Sequence, residues 1–72
     1  MSKYGHLWMY IDLIFKRTNK EKIELSFNQI KDATGFYIDH SFLTYKKELL
    51  DYGYKVEKIK LKDKIIIFLK ID

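Results

Sequence analysis

Leu25-Ser26-Phe27-Asn28-Gln29-Ile30-Lys31-Asp32-Ala33-Thr34-Gly35 is the stretch that decides the fold. Ser26 and Gln29 stand three residues apart, the spacing of a capping box. The hydroxyl accepts from the backbone N–H three residues on, and the amide reaches back to the cap's own N–H. Leu25 and Ile30 occupy the hydrophobic-staple positions around that cap. Gly35 suits the left-handed position that closes a helix. The stretch therefore predicts a short helix that starts after Ser26, stops at Gly35 and turns Phe27, Ile30 and Ala33 inward.

Working toward the N-terminus, Lys22-Ile23-Glu24-Leu25 alternates polar and apolar, as a short strand does. The polar run Lys16-Arg17-Thr18-Asn19-Lys20 separates it from an earlier element. There Tyr4, Leu7, Trp8, Ile11, Ile14 and Phe15 recur at helical spacing and predict a first helix over roughly residues 4–17. Working toward the C-terminus, Phe36-Tyr37-Ile38 forms a connection. Asp39 is a natural cap for a third helix, with Ile38 and Leu43 as its staple pair. Phe42, Tyr45, Leu49 and Leu50 form that helix's predicted inner face. Gly53 ends it, and Tyr54 is placed to pack back on Leu49 as in a Schellman cap. The remainder reads as a hairpin, with one arm over Tyr54–Leu61, a tip at Lys62-Asp63-Lys64 and a second arm over Ile65–Ile71. Its β-branched second arm favours strand over helix. The parity of the first arm shifts between Val56 and Ile59, which predicts a bulge or a change of buried face.

Seventy-two residues make one domain, residues 1–72, of class α+β. So short a chain buries only about 60% of its unfolded surface, so it draws on dense packing or self-association. Cysteine is absent, which removes disulfides and thiolate metal sites and fits a reducing compartment. His6 and His40 show no ligand spacing, so neither a metal nor any other cofactor is expected. No leader pattern is visible, and the longest apolar run, Ile65–Leu69, is far too short to span a bilayer. The expectation is a soluble, cytoplasmic protein with no membrane partner. Its net charge of +4 favours acidic partners, nucleic acid first.

The element order is helix, short strand, helix, helix and a two-stranded hairpin. With Leu25–Ile30, Thr34-Gly35 and Glu48-Leu49-Leu50-Asp51-Tyr52-Gly53-Tyr54, it resembles the winged helix–turn–helix superfamily over almost the whole chain. The resemblance implies that the third helix enters a DNA major groove while the hairpin wing touches backbone or minor groove. Carried onto this sequence, the outward face of the third helix is His40, Ser41, Thr44, Lys47, Glu48 and Asp51. His40, Ser41 and Thr44 would approach base edges or phosphates, and Lys47 a phosphate. Asn28 and the free N–H groups at the start of the second helix would hold another phosphate. The hairpin carries six lysines, Lys55, Lys58, Lys60, Lys62, Lys64 and Lys70, against Glu57 and Asp63. It is therefore as positive as the whole chain, and Lys60, Lys62 and Lys64 cluster at its tip. The third helix has no arginine, asparagine or glutamine, the residues that read bases bidentately.

Each feature also has a plainer reading. The lysines can guard an edge strand from aggregation rather than meet phosphate. On that view His40 is an ordinary surface histidine and His6 a surface or core-edge one, and nothing places Glu21 or Glu24 opposite a second carboxylate for acid–base work. Only Tyr37 and Tyr10 are candidates for exposed stacking platforms. Met9 and Leu13, with Tyr10 nearby, form a second apolar flank on the first helix. It either wraps into the same core or forms a homodimer interface.

Two functional expectations follow. The first is a small, dimeric DNA-binding regulator that contacts duplex through the third helix and the wing, with two reading heads for a palindromic site. The second is a winged-helix protein-interaction module, such as a phage- or mobile-element-encoded inhibitor of a nucleic-acid-processing complex. It is motivated by the weak base-reading chemistry of the third helix and the spare apolar flank of the first. An enzyme is not expected: the chain has no cysteine nucleophile, no histidine–carboxylate pairing and no glycine-rich phosphate loop.

Overall fold

A computed structural model of the chain describes residues 4–71. Helix α1 (Gly5–Thr18) buries Leu7, Trp8, Ile11 and Phe15 along one stripe. Lys16 and Arg17 in its last turn complement the negative end of the helix dipole. Asn19 closes it in the left-handed conformation, donating its N–H to the Phe15 carbonyl at 2.9 Å. Strand β1 (Lys22–Ser26) leads straight into α2 (Phe27–Thr34).

The capping box is complete. Gln29 N–H donates to Ser26 Oγ at 3.0 Å, and Ser26 N–H donates to Gln29 Oε1 at 2.8 Å. Gly35, with φ of 87°, returns its N–H to the Lys31 carbonyl. One expectation is corrected inside this helix: Ala33 is exposed, and Thr34 is half-buried in its place. At about 100° per residue, Thr34 falls between Phe27 and Ile30 around the helix, while Ala33 lies about 60° beyond Ile30 and off the narrow buried arc.

Asp39 caps α3 (His40–Tyr45), its carboxylate accepting the Ser41 N–H at 2.9 Å. The expected long third helix then changes type. Residues Lys46–Tyr52 form a 3₁₀ helix that ends at Gly53, with φ of 92°. Of the predicted inner face, Phe42 and Leu49 are fully buried, whereas Tyr45 and Leu50 are 40% and 51% exposed. The tighter coil explains the split: with 3.0 residues per turn, neighbours stand about 120° apart, so seating Leu49 in the core swings Leu50 out. Likewise Leu43, the expected staple partner of Ile38, is 53% exposed.

The hairpin consists of β2 (Tyr54–Lys60) and β3 (Ile65–Lys70), and its first arm ends one residue earlier than expected. All strand pairs are antiparallel, in the order β1-β3-β2. A bulge at Glu57, where the register shifts between Val56 and Lys58, keeps Val56 and Ile59 on one face. The inner face aligns Ile23, Phe68 and Val56, then Leu25, Ile66 and Ile59. It packs with α1, Ile30, Phe42 and Leu49 in one core. Tyr4 joins that core edge-on to both Phe36 and Phe42, with ring centroids 5.5 and 5.7 Å away. This α+β arrangement of three helices and a three-stranded antiparallel sheet is compatible with a winged-helix layout.

Candidate nucleic-acid interface

Three segments carry the residues singled out above: the first turn of α2, the α3–3₁₀ segment and the hairpin. His40, Thr44 and Lys47 are exposed along the second of these. Ser41 is not free. It is half-buried, and its hydroxyl shares a 2.8 Å hydrogen bond with Tyr4 Oη and donates to Asp39. Glu48 turns away from solvent too, accepting from Trp8 Nε1 at 2.9 Å. That contact engages one of the two acids of the expected outward face, and the other, Asp51, stays exposed.

At α2, Asn28 is exposed and shares a small cleft with Tyr37, Asp63 and Lys64. The fold thus brings Asn28 beside the hairpin tip, which sequence spacing does not show. The backbone donors there are mostly committed, a correction to the expected phosphate cradle. Phe27 N–H donates to the Lys64 carbonyl at 2.9 Å, and Gln29 N–H is taken by Ser26. The first of these bonds ties the hairpin tip down onto α2. Lys64 adopts a left-handed backbone, φ 57°, to make that turn.

Five of the six hairpin lysines fall into two groups. Lys55, Lys58 and Lys60 align with Leu69, Ile67 and Ile65 on the sheet face opposite the helices. Lys22 and Glu24 of β1 lie across β3 on the same face, and Lys22 Nζ reaches Glu57 Oε2 at 3.9 Å. Lys62 and Lys64 are exposed at the tip. Lys55 also stands at the β2 edge, where it lines a cleft with Lys46, Lys47, Leu50 and Val56. Among the described residues the ion pairs are Lys16–Asp12, at 2.9 Å, and Lys22–Glu57. The cations of the hairpin and of the 3₁₀ helix therefore have no acid among the described residues within ion-pair reach.

The candidate dimer residues separate as well. Met9 and Leu13 are 57% and 46% exposed, whereas Tyr10 packs against the core. Of the two candidate stacking aromatics only Tyr37 is widely exposed, and Lys31 Nζ lies 5.0 Å from its ring centre.

One polar pair escaped the sequence reading. Tyr54 stacks on Phe15, centroids 4.4 Å apart, and donates its hydroxyl to Asp12 Oδ1 at 2.6 Å. Burial, then the hydrogen bond to Asp12, pushes the Tyr54 hydroxyl up from 10.0 to about 12. The same bond, followed by Lys16, holds the Asp12 carboxyl below its ordinary 3.8. The two residues are 42 apart in sequence, so no local pattern announces them.

No helix among the described residues is long and apolar enough to cross a membrane. No protein-family model, curated protein or solved structure matches the chain.

Proposed function

We propose that this protein binds duplex nucleic acid, DNA first, as a small regulator that tracks the phosphate backbone. The observation that carries the reading is the set of lysines at the hairpin tip and along the 3₁₀ helix that have no acid partner among the described residues. His40 and Thr44 of α3 and Asn28 of α2 supply the neighbouring polar contacts. Lysine is a point charge rather than a bidentate fork, so these contacts position the protein more than they read bases. Pairing of two copies through Met9 and Leu13 would present two such surfaces to one duplex.

Fluorescence anisotropy of the purified protein with a labelled random duplex, at several salt concentrations, tests this directly. Affinity should fall steeply with salt, because each phosphate contact releases condensed counterions. Lys47→Ala and Lys62→Ala should each weaken binding to all sequences alike and reduce the salt slope by about one. Absence of binding at low salt would leave the lysines as a solvated face and end the proposal.

A further inference from the structure

The two outer strands of the sheet are finished differently. Strand β2 carries Lys55, Lys58 and Lys60 and is bent by the bulge at Glu57, devices that keep an edge from pairing with another chain. Strand β1 is regular from Lys22 to Ser26, with no break in its register against β3. Two backbone bonds bracket that ladder. Lys70 N–H donates to the Glu21 carbonyl at 2.8 Å, and Phe27 N–H donates to the Lys64 carbonyl at 2.9 Å. Residues that exchange such bonds alternate along an antiparallel pair, so Glu21, Ile23, Leu25 and Phe27 turn their backbone groups toward β3. Lys22 and Glu24 turn theirs outward, and no backbone group among the described residues meets them there.

Beside that edge, Tyr10, Ile14 and Thr18 of α1 face β1 across an open cleft of about 580 Å³, which leaves room for a further strand. Charge selects the occupant. Lys22 and Glu24 are both exposed, and they stand two residues apart on the same face of the sheet. Glu24 has no ion pair among the described residues, and Lys22 reaches Glu57 only at 3.9 Å. Such a strand complements itself. Run antiparallel to its own copy about a two-fold axis at Ile23, it sets each Lys22 opposite a Glu24. An axis at Lys22 or at Glu24 would oppose like charges. An axis between residues would set outward backbone groups against inward ones.

We infer that two copies of this chain pair edge to edge through β1, in the register centred on Ile23. Lys22 exchanges backbone hydrogen bonds with Glu24 of the second copy, and Glu24 does the same with Lys22 of that copy, so every outward N–H and carbonyl of the two residues is satisfied. The two three-stranded sheets become one, with Ile23 beside its own copy on the helix side. A ladder this short buries little surface, so the dimer is weak and concentration-dependent. This contact is distinct from pairing through Met9 and Leu13. It goes beyond the nucleic-acid reading and does not depend on it.

Sedimentation velocity of the full chain, from micromolar to millimolar concentration, should show a monomer–dimer equilibrium. Lys22→Glu and Glu24→Lys should each weaken it by at least about tenfold, since each sets like charges opposite one another twice. An equal mixture of the two variants should recover it as a heterodimer, because the acidic edge of one then meets the basic edge of the other. Met9→Ser/Leu13→Ser lies outside the ladder and should leave the equilibrium within about twofold. Lys22 and Glu24 are exposed, so their variants should keep the fold, which circular dichroism verifies. In the native chain, amide hydrogen exchange at Lys22 and Glu24 should slow as concentration rises. A chain that stays monomeric throughout, exchange at those two amides that ignores concentration, a dimer unmoved by either charge variant, or no heterodimer on mixing overturns the inference. So does loss of the dimer in a folded Met9→Ser/Leu13→Ser variant, which would assign the pairing to α1. Dimerisation without any duplex binding at low salt supports the ladder and removes the nucleic-acid reading alone.

Discussion

Helix α2 and the α3–3₁₀ segment are neighbours in the chain, yet they are held in place by different means. Helix α2 is bounded by contacts between residues at most four positions apart: Ser26 with Gln29, and Gly35 with Lys31. The α3–3₁₀ segment begins with an equally local cap at Asp39, but its course afterwards follows distant partners. Tyr4 holds Ser41 and Asp39 from 37 and 35 residues away, and Trp8 holds Glu48 from 40. The comparison teaches that local chemistry sets where a helix starts and stops. Contacts from another helix decide which face it shows. Here those contacts lie beneath the segment that the resemblance assigns to nucleic acid, so they determine which of its side chains reach solvent.

The largest effect should come from the two adjacent leucines of the 3₁₀ helix, one buried and one exposed. Leu49→Ala should cost about 2–5 kcal/mol in urea unfolding, and Leu50→Ala no more than about 0.5 kcal/mol. Similar costs for the two would mean that the segment is not held in the 3₁₀ register, and the contrast with α2 would collapse.

Next comes the long-range tether just beyond Gly53. Tyr54→Phe removes a hydrogen bond to a charged group and should cost about 1.5–3 kcal/mol. Its pH signature is two-sided. Tyr54 has a raised pKa in the folded state, so its contribution is fully present below pH 10 and lost as pH climbs toward about 12. Asp12 has a lowered one, so its contribution holds above 3.8 and is lost as pH falls. Melting curves across pH should show both losses in the native chain, and Tyr54→Phe should flatten the alkaline one and shrink the acid one. An unchanged alkaline profile would remove the tether from the account.

The caps sharpen the comparison at a smaller scale. Ser26→Ala should cost about 1 kcal/mol, the usual value of an N-cap side chain. Asp39→Ala should exceed it, because the Asp39 carboxylate serves the Tyr4 hydroxyl as well as the Ser41 N–H. Equal losses in chemical denaturation would mean that the contact to α1 contributes nothing measurable. Smallest of all, Lys47→Ala should change stability by less than about 0.5 kcal/mol, since it is exposed and unpaired. Its effect should appear in the salt dependence of duplex binding instead.

Several parts of the molecule were legible from residue order alone. The capping box, the glycines at 35 and 53, the Asp39 cap and the bulge between Val56 and Ile59 each rest on a few adjacent residues. Their geometry is short-range, so neighbours in sequence specify it. The clustering of lysine in the hairpin is equally a property of the chain. What the lysines face is not: only the strand order β1-β3-β2 sends Lys55, Lys58 and Lys60 to the side opposite the helices. Ala33, Tyr45 and Leu50 were misplaced because burial depends on the width of the arc that packing covers and on the pitch of the coil. The engagement of Ser41 and Glu48, the bond from Phe27 to the hairpin tip and the cleft between α1 and the β1 edge were invisible for a related reason. Each joins residues brought together only when α1, the sheet and the α3–3₁₀ segment close on one core. The sequence by itself determined the elements, their ends and the sign of the charge. Tertiary structure alone decided which polar groups are consumed within the fold and which surfaces remain for a partner, because burial and long-range hydrogen bonding exist only once the core has formed.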